Sequence, residues 1–315
     1  MRHLIFCSGF VTLGVVFLHF SAASAQTTET TSVPIRAVDR LPVVQVMLNG
    51  KGPYDFVLDT GTNITRVQSQ LLTQLSIPLG EEVVVHTTTG VTRQRRTTAE
   101  SIGVGGLTVL QIKIDALESD QLSKLHQRLS GILGENYLKY FDILLDNEKK
   151  TLVLDRTSRL AKSLEGEQLP FSWFGSFDAS PTPDRIVVEL KIPSYRKQSL
   201  RCVLDSGANS TILYPETSKD WHMLLLSQPS EIRTINGNSC IVRKSLMALG
   251  GSVLPDTGLF VCEKMTRKTS DSDCLIPTAF FKEILISHLN SYVIVNPRKG
   301  SRRPQETADT ALFAR

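Results

Sequence analysis

VLDTGTNIT, residues 57–65, is written nearly again as VLDSGANST at residues 203–211, with six of nine positions identical. The substitution of Thr60 by Ser206 keeps a hydroxyl. A lone D-[ST]-G tripeptide carries little weight, since chance places one in roughly every seventh chain of this length. A third copy, Asp256-Thr257-Gly258, follows Pro255 rather than an apolar strand end and reads as a turn or a strand start. The first two copies differ from it because each closes an apolar run. A site needing one carboxylate needs the motif once; two copies point to a site that needs two.

The repeat extends outward from these motifs. In the first half, VPIRAVDRLPVVQVMLNG leads to YDFVLDTG, then a hairpin-like HTTTGVTRQ, then SIGVGGLTVLQIKIDAL and finally GILGENYLKYFDILLDNEKKTLVLD. The second half follows the same order with RIVVELKI, RCVLDSG, TINGNSCIV, MALGGSVLPDTGLFVCE and CLIPTAFFKEILISHLNSYVIVNP. Short Val- and Ile-rich runs bounded by Gly, Asn and Pro read as strands. Helical periodicity is brief: QSQLLTQL, residues 119–129, and the residues after GILG and CLIP. The fold class expected is all-β, with a few short helices.

Each motif offers the same chemistry. Val57 and Leu58 end a strand, so Asp59 emerges from a rigid element, and Asp205 does so after Val203 and Leu204. Gly61 and Gly207 allow a sharp turn and close backbone approach. The Thr60 and Ser206 hydroxyls can tie one loop to the other. Two carboxylates held at hydrogen-bonding distance cannot both ionise easily, and so share a proton. The aspartic-protease dyad is the standard example of such sharing.

FVLDTGTN and CVLDSGAN, followed at comparable intervals by GILG and CLIP, resemble aspartic proteases of the pepsin and retropepsin superfamily. The closest likeness is to bacterial retropepsin-like proteins with two lobes in one chain, over about residues 33–297. The resemblance implies two pseudo-symmetric acid-protease β lobes with catalytic Asp59 and Asp205. Thr60, Gly61, Ser206 and Gly207 would support the active loops, and Ile132-Leu133-Gly134 would pass behind the first. It also implies hairpins over the cleft near residues 87–92 and 234–238, with Thr89 and Gly90 as substrate contacts. Two departures stand out: Leu275-Ile276-Pro277 lies where a Gly is expected, and the first hairpin has no tyrosine.

The chain start reads as a secretory signal over residues 1–25, with Arg2 and His3, an apolar run from Leu4 to Phe20, and Ala23-Ser24-Ala25 at the cleavage point. The expected organisation is then a first lobe over 26–158, a link over 159–167, a second lobe over 168–297, and a disordered tail over 298–315. A net charge of +4 is mild and gives no footprint for nucleic acid. The cysteines and six histidines show no zinc-ligand spacing, so neither metal nor cofactor is expected. Cys202, Cys240, Cys262 and Cys274 leave three pairings open. Cys262–Cys274, across a polar loop, is the one favoured. The reading is a secreted or periplasmic monomeric endopeptidase acting on polypeptides, without stable membrane association once the signal is removed. Its rival is an inactive acid-protease-fold protein that binds peptides or an exported partner, and a third form is a homodimer with one working half in each chain.

Overall fold

The computed structural model describes residues 29–87, 90–118, 128–173, 185–192, 199–214, 231–235, 238–254, 258–262 and 272–299. It is all-β, with short helices at Ser69–Gln74, Glu135–Leu138 and Arg159–Ser163 and one 3₁₀ turn at Thr278–Phe280 among these residues. The helix expected within QSQLLTQL is present. Most of the expected helix at residues 119–129, Asp256 and Thr257, and the signal and most of the tail lie outside the described residues. No helix among the described residues is long and apolar enough to cross a membrane.

Two sheets repeat one topology. In the first half, Lys51–Leu58 runs parallel to Gly131–Leu133, which lies antiparallel to Arg66–Gln68, itself parallel to Leu107–Leu117. In the second, Leu200–Asp205, Cys274–Pro277, Thr211–Leu213 and Gly258–Cys262 are joined in the same senses. Parallel neighbours so close in space need long connections, which each half supplies with a hairpin. These hairpins pair Glu81–Thr87 with Gly90–Val104 and Glu231–Ile235 with Asn238–Lys244, matching the two expected from sequence.

Alternation sends successive side chains to opposite sheet faces. Phe56 and Leu58 enter the main core with Leu133, Leu204 and Ile276, while Val57 and Val203 join small apolar clusters on the other face. The two aspartates, each two residues beyond such a valine, therefore emerge away from the main core.

A third sheet is shared between the halves. Its order is Thr30–Pro34, Thr151–Asp155, Asp142–Asp146, Glu283–Ser287, Tyr292–Val295 and Leu169–Pro170. At its centre Asp142 pairs with Ser287 and Leu144 with Leu285. Residues 159–167 hold the helix Arg159–Ser163 and the strand Leu164–Glu165, which pairs with Arg298–Lys299.

The cysteine pairing differs from the one favoured above. Cys202 is bonded to Cys274, its register partner on the adjacent parallel strand. Cys240 is also disulfide-bonded, and Cys262 stands opposite it in the backbone register. Proximity in sequence favoured Cys262 for Cys274, but strand register decides which Cα atoms are neighbours. The Cys202–Cys274 bond closes a loop with a sequence separation of 72. Replacing both cysteines by serine is expected to lower unfolding free energy by about 2–4 kcal/mol, read from denaturant titration under oxidising conditions.

Candidate active site

Asp59 and Asp205 meet where the two repeated loops face each other, close enough for the charge of one carboxyl to act on the other. The contact is made possible by the glycines. A Cβ at Gly61 would collide with the Asp205 carboxyl, and one at Gly207 would lie 2.9 Å from the Asp59 Cγ. Each loop thus gives up a side chain to admit the other's acid.

A reciprocal brace fixes this approach. The Thr60 hydroxyl donates to the Leu204 carbonyl at 2.8 Å and accepts from the Ser206 N–H at 3.0 Å. The Ser206 hydroxyl donates to the Leu58 carbonyl at 2.7 Å and accepts from the Thr60 N–H at 3.0 Å. Thr60 and Ser206 are buried, so all four bonds are sheltered from water. Removing either hydroxyl would strand a buried donor and acceptor across the junction.

The two acids have different surroundings. Asp59 accepts from the Gly61 N–H at 2.8 Å on one oxygen and from the Thr62 hydroxyl at 2.7 Å on the other. Asp205 accepts from the Gly207 N–H at 2.7 Å, but Ala208 occupies the position corresponding to Thr62. Asp205 keeps some solvent contact yet is closely ringed by protein. Burial, then the Asp59 charge, push its carboxyl well above the ordinary range, against smaller opposing effects of the Gly207 N–H and Arg185. The two donors on Asp59 and the raised Asp205 carboxyl together favour Asp205 as the carrier of a shared proton.

Behind the first loop, the Thr65 hydroxyl and N–H both donate to Asn136 Oδ1, at 2.7 and 2.9 Å, and the Gly134 N–H donates to the Thr65 hydroxyl at 3.1 Å. The second half lacks this ring. Pro277, which has no N–H, stands where Gly134 does, and Ala279 where Asn136 does; the buried Thr211 Oγ1 has no partner among the described residues. The Gly-to-Pro departure seen in sequence thus leaves the strand pairing intact but removes the polar brace.

The structure brings Asp59, Thr60, Gly61, Asp205, Ser206 and Gly207 together. Thr89 lies outside the described residues, and Gly90 begins its strand in register with Thr87. Sequence reasoning missed Thr62 and the Thr65–Asn136 pair. Thr65 had a signal, because its counterpart Thr211 recurs in the repeat; Asn136 and Thr62 have no such counterpart. Among the described residues no cluster of His, Cys, Asp and Glu is arranged to hold a metal ion.

A protein-family model described as aspartyl protease matches residues 44–137, which include Asp59, the first hairpin and Gly134. The match ends before the second motif. No curated protein matches the chain.

Proposed function

We propose that this chain is an exported, monomeric aspartic endopeptidase that cleaves polypeptides with water activated by Asp59 and Asp205. The observation that carries the reading is the facing pair of acids in unlike surroundings: Asp59 has a donor on each oxygen, whereas Asp205 is closely ringed by protein and its carboxyl is held well above the ordinary range. The aspartyl-protease match over residues 44–137 supports it, and the apolar chain start ending in Ala23-Ser24-Ala25 supports export.

In the proposed reaction Asp59 takes a proton from water as the water oxygen attacks the peptide carbonyl carbon. Asp205 gives its proton to the carbonyl oxygen, leaving a tetrahedral diol. In collapse, Asp205 recovers a proton from a diol hydroxyl, the C–N bond breaks, and Asp59 protonates the departing nitrogen. One acid and one amine leave, and the pair returns to its starting charge. Only the carboxyl groups enter these steps.

The test is incubation of the mature protein with an unfolded protein substrate from pH 3 to 7, with new termini identified by mass spectrometry. Cleavage lost in both Asp59→Asn and Asp205→Asn is the expected result. Absence of turnover by a folded protein would replace this reading with a peptide-binding one, and activity surviving one of the two changes would favour a homodimer.

Ala208 makes a separate prediction. Ala208→Thr would give Asp205 the hydroxyl donor that Thr62 gives Asp59. Hydrogen bonding to the charged form lowers an acid's pKa. Activity needs protonated Asp205, so the alkaline limb of the kcat/KM profile is expected to move to lower pH. An unmoved limb would mean that another group sets it.

A further inference from the structure

The two halves present different chemistry beside the aspartates. Taken across the first sheet, the register runs from Val57 to Ile132, Arg66, Asp115 and Arg96. The corresponding line in the second sheet is Val203, Leu275, Ile212, Phe260 and Val242. Register partners share a face, and Val57 and Val203 share theirs with the aspartates two residues on. Thus the second half flanks its acid with an apolar line, and the first half turns charged at the third position.

Arg66 stands at that change. Val67 beside it is fully buried in the main core, which sends Arg66 to the opposite face. Its Nε is sealed from solvent and has no hydrogen-bond partner among the described residues. The nearest carboxylate in register, Asp115, is engaged by Arg96 through two bonds, Nε to Oδ1 at 2.7 Å and the terminal nitrogen to Oδ2 at 3.0 Å. Gln94, two residues before Arg96 and so on the same strand face, is buried with neither its amide oxygen nor its amide nitrogen paired. Burial lowers the Arg66 guanidinium from its ordinary value, while Asp59 and Asp115 raise it, which places it within electrostatic reach of the dyad. Buried donors left without acceptors are costly, more so when charged, so this arrangement is poised for an acceptor supplied by a bound ligand.

We propose that Arg66, backed by Gln94 and the Arg96–Asp115 pair, forms a subsite that selects peptides carrying an acidic side chain close to the scissile bond. On the other side of the dyad, Val203, Leu275 and Ile212 form its apolar counterpart. The planar guanidinium matches a carboxylate with two parallel donors. The inference rests on the peptidase reading for its setting, and its test separates the two.

The test uses the mature protein and a set of peptides that differ only by Glu, Gln, Leu or Lys at each position flanking a cleaved bond. The same set is made with a reduced, uncleavable bond for binding measurements. Glu at one position is expected to beat its isostere Gln about tenfold or more in kcat/KM at pH 5.5, because a site built for a charged acceptor rejects analogues lacking it. The advantage should shrink at pH 3, where the glutamate side chain is protonated. Arg66→Leu is expected to erase the Glu-over-Gln ratio, and Arg66→Lys to retain part of it. Should nothing be cleaved, a Glu preference in binding that disappears in Arg66→Leu upholds the subsite and overturns only the hydrolytic reading. Cleavage with no Glu preference, or a preference untouched by Arg66→Leu, overturns the subsite and leaves the hydrolytic reading standing. If Arg66→Leu fails to fold, the wild-type Glu/Gln comparison and Arg66→Lys decide the matter.

Discussion

Asp205→Asn is expected to lower kcat by about a thousandfold or more, in keeping with the loss of a positioned proton donor in the transition state. Asparagine has the same shape as the acid it replaces. Its oxygen can still accept from the Gly207 N–H, and the Thr60–Ser206 brace does not involve this side chain. The loss would therefore be chemical rather than structural. Stability supplies an internal control. The native-state value of Asp205 is raised, so its contribution to stability is full below the unfolded value near 4 and is lost as pH rises through the raised one. At pH 7 the asparagine variant should melt no lower than the parent. Asp59→Asn should cost activity on the same scale, because the reaction needs one ionised and one protonated acid. A variant of either kind that kept a tenth of parental kcat would refute the two-acid mechanism.

The second large effect concerns His288, which lies behind the first active loop and is itself buried. Its Nδ1 faces the Phe141 carbonyl at 2.6 Å and its Nε2 faces Glu135 Oε2 at 3.0 Å. Both neighbours are acceptors, so the ring serves them best as an imidazolium donating from both nitrogens. Trp173 stacks on it with centroids 5.8 Å apart, and Asp142 adds a second negative charge nearby. Burial disfavours the charged ring, but Glu135, the Phe141 carbonyl and Asp142 outweigh it and hold His288 above its ordinary value.

His288→Leu is expected to cost about 3–5 kcal/mol, the usual result of stripping one partner from a buried ion pair. Pairing it with Glu135→Leu, which removes the stranded charge, should recover much of that loss. The pH dependence has a definite sign. With the folded value above the unfolded one, the pair stabilises fully below about pH 6.5 and less as pH climbs through the raised value. Wild-type melting temperature should fall as pH climbs above about 6.5, and this part of the slope should vanish in the leucine variant. An unchanged slope would show that His288 is neutral in the native protein. The Glu135 N–H also donates to the Thr62 carbonyl at 2.8 Å, so loosening the pair should disturb the loop whose Thr62 hydroxyl bonds Asp59.

The repeat made much of this molecule readable before any coordinates. Asp59 and Asp205 could be singled out because strand context and repeat register agreed at both and failed at Asp256. The succession of elements along each half was legible for the same reason, whereas their pairing within the sheets was not. What repetition cannot reveal are contacts between unlike partners. Cys274 pairs with Cys202 because of register between strands distant in sequence, and nothing local encodes that choice. His288 and Glu135 come from non-equivalent places in the two halves, so neither has a twin to announce it. Arg66 stands where the second half has Ile212, and its meaning depends on which sheet face it occupies.

The shared sheet has a consequence for how the molecule comes into being. Asp142 and Ser287, hydrogen-bonded in its middle, are 145 residues apart. While the chain is being made, Asp142–Asp146 has Thr151–Asp155 on one side and an open ladder on the other until Glu283–Ser287 is synthesised. An open, apolar-rich strand edge readily recruits other strands. The newborn first half is thus a partner in waiting, exposed to mispairing with a neighbour's edge until Glu283–Ser287 emerges to seal it.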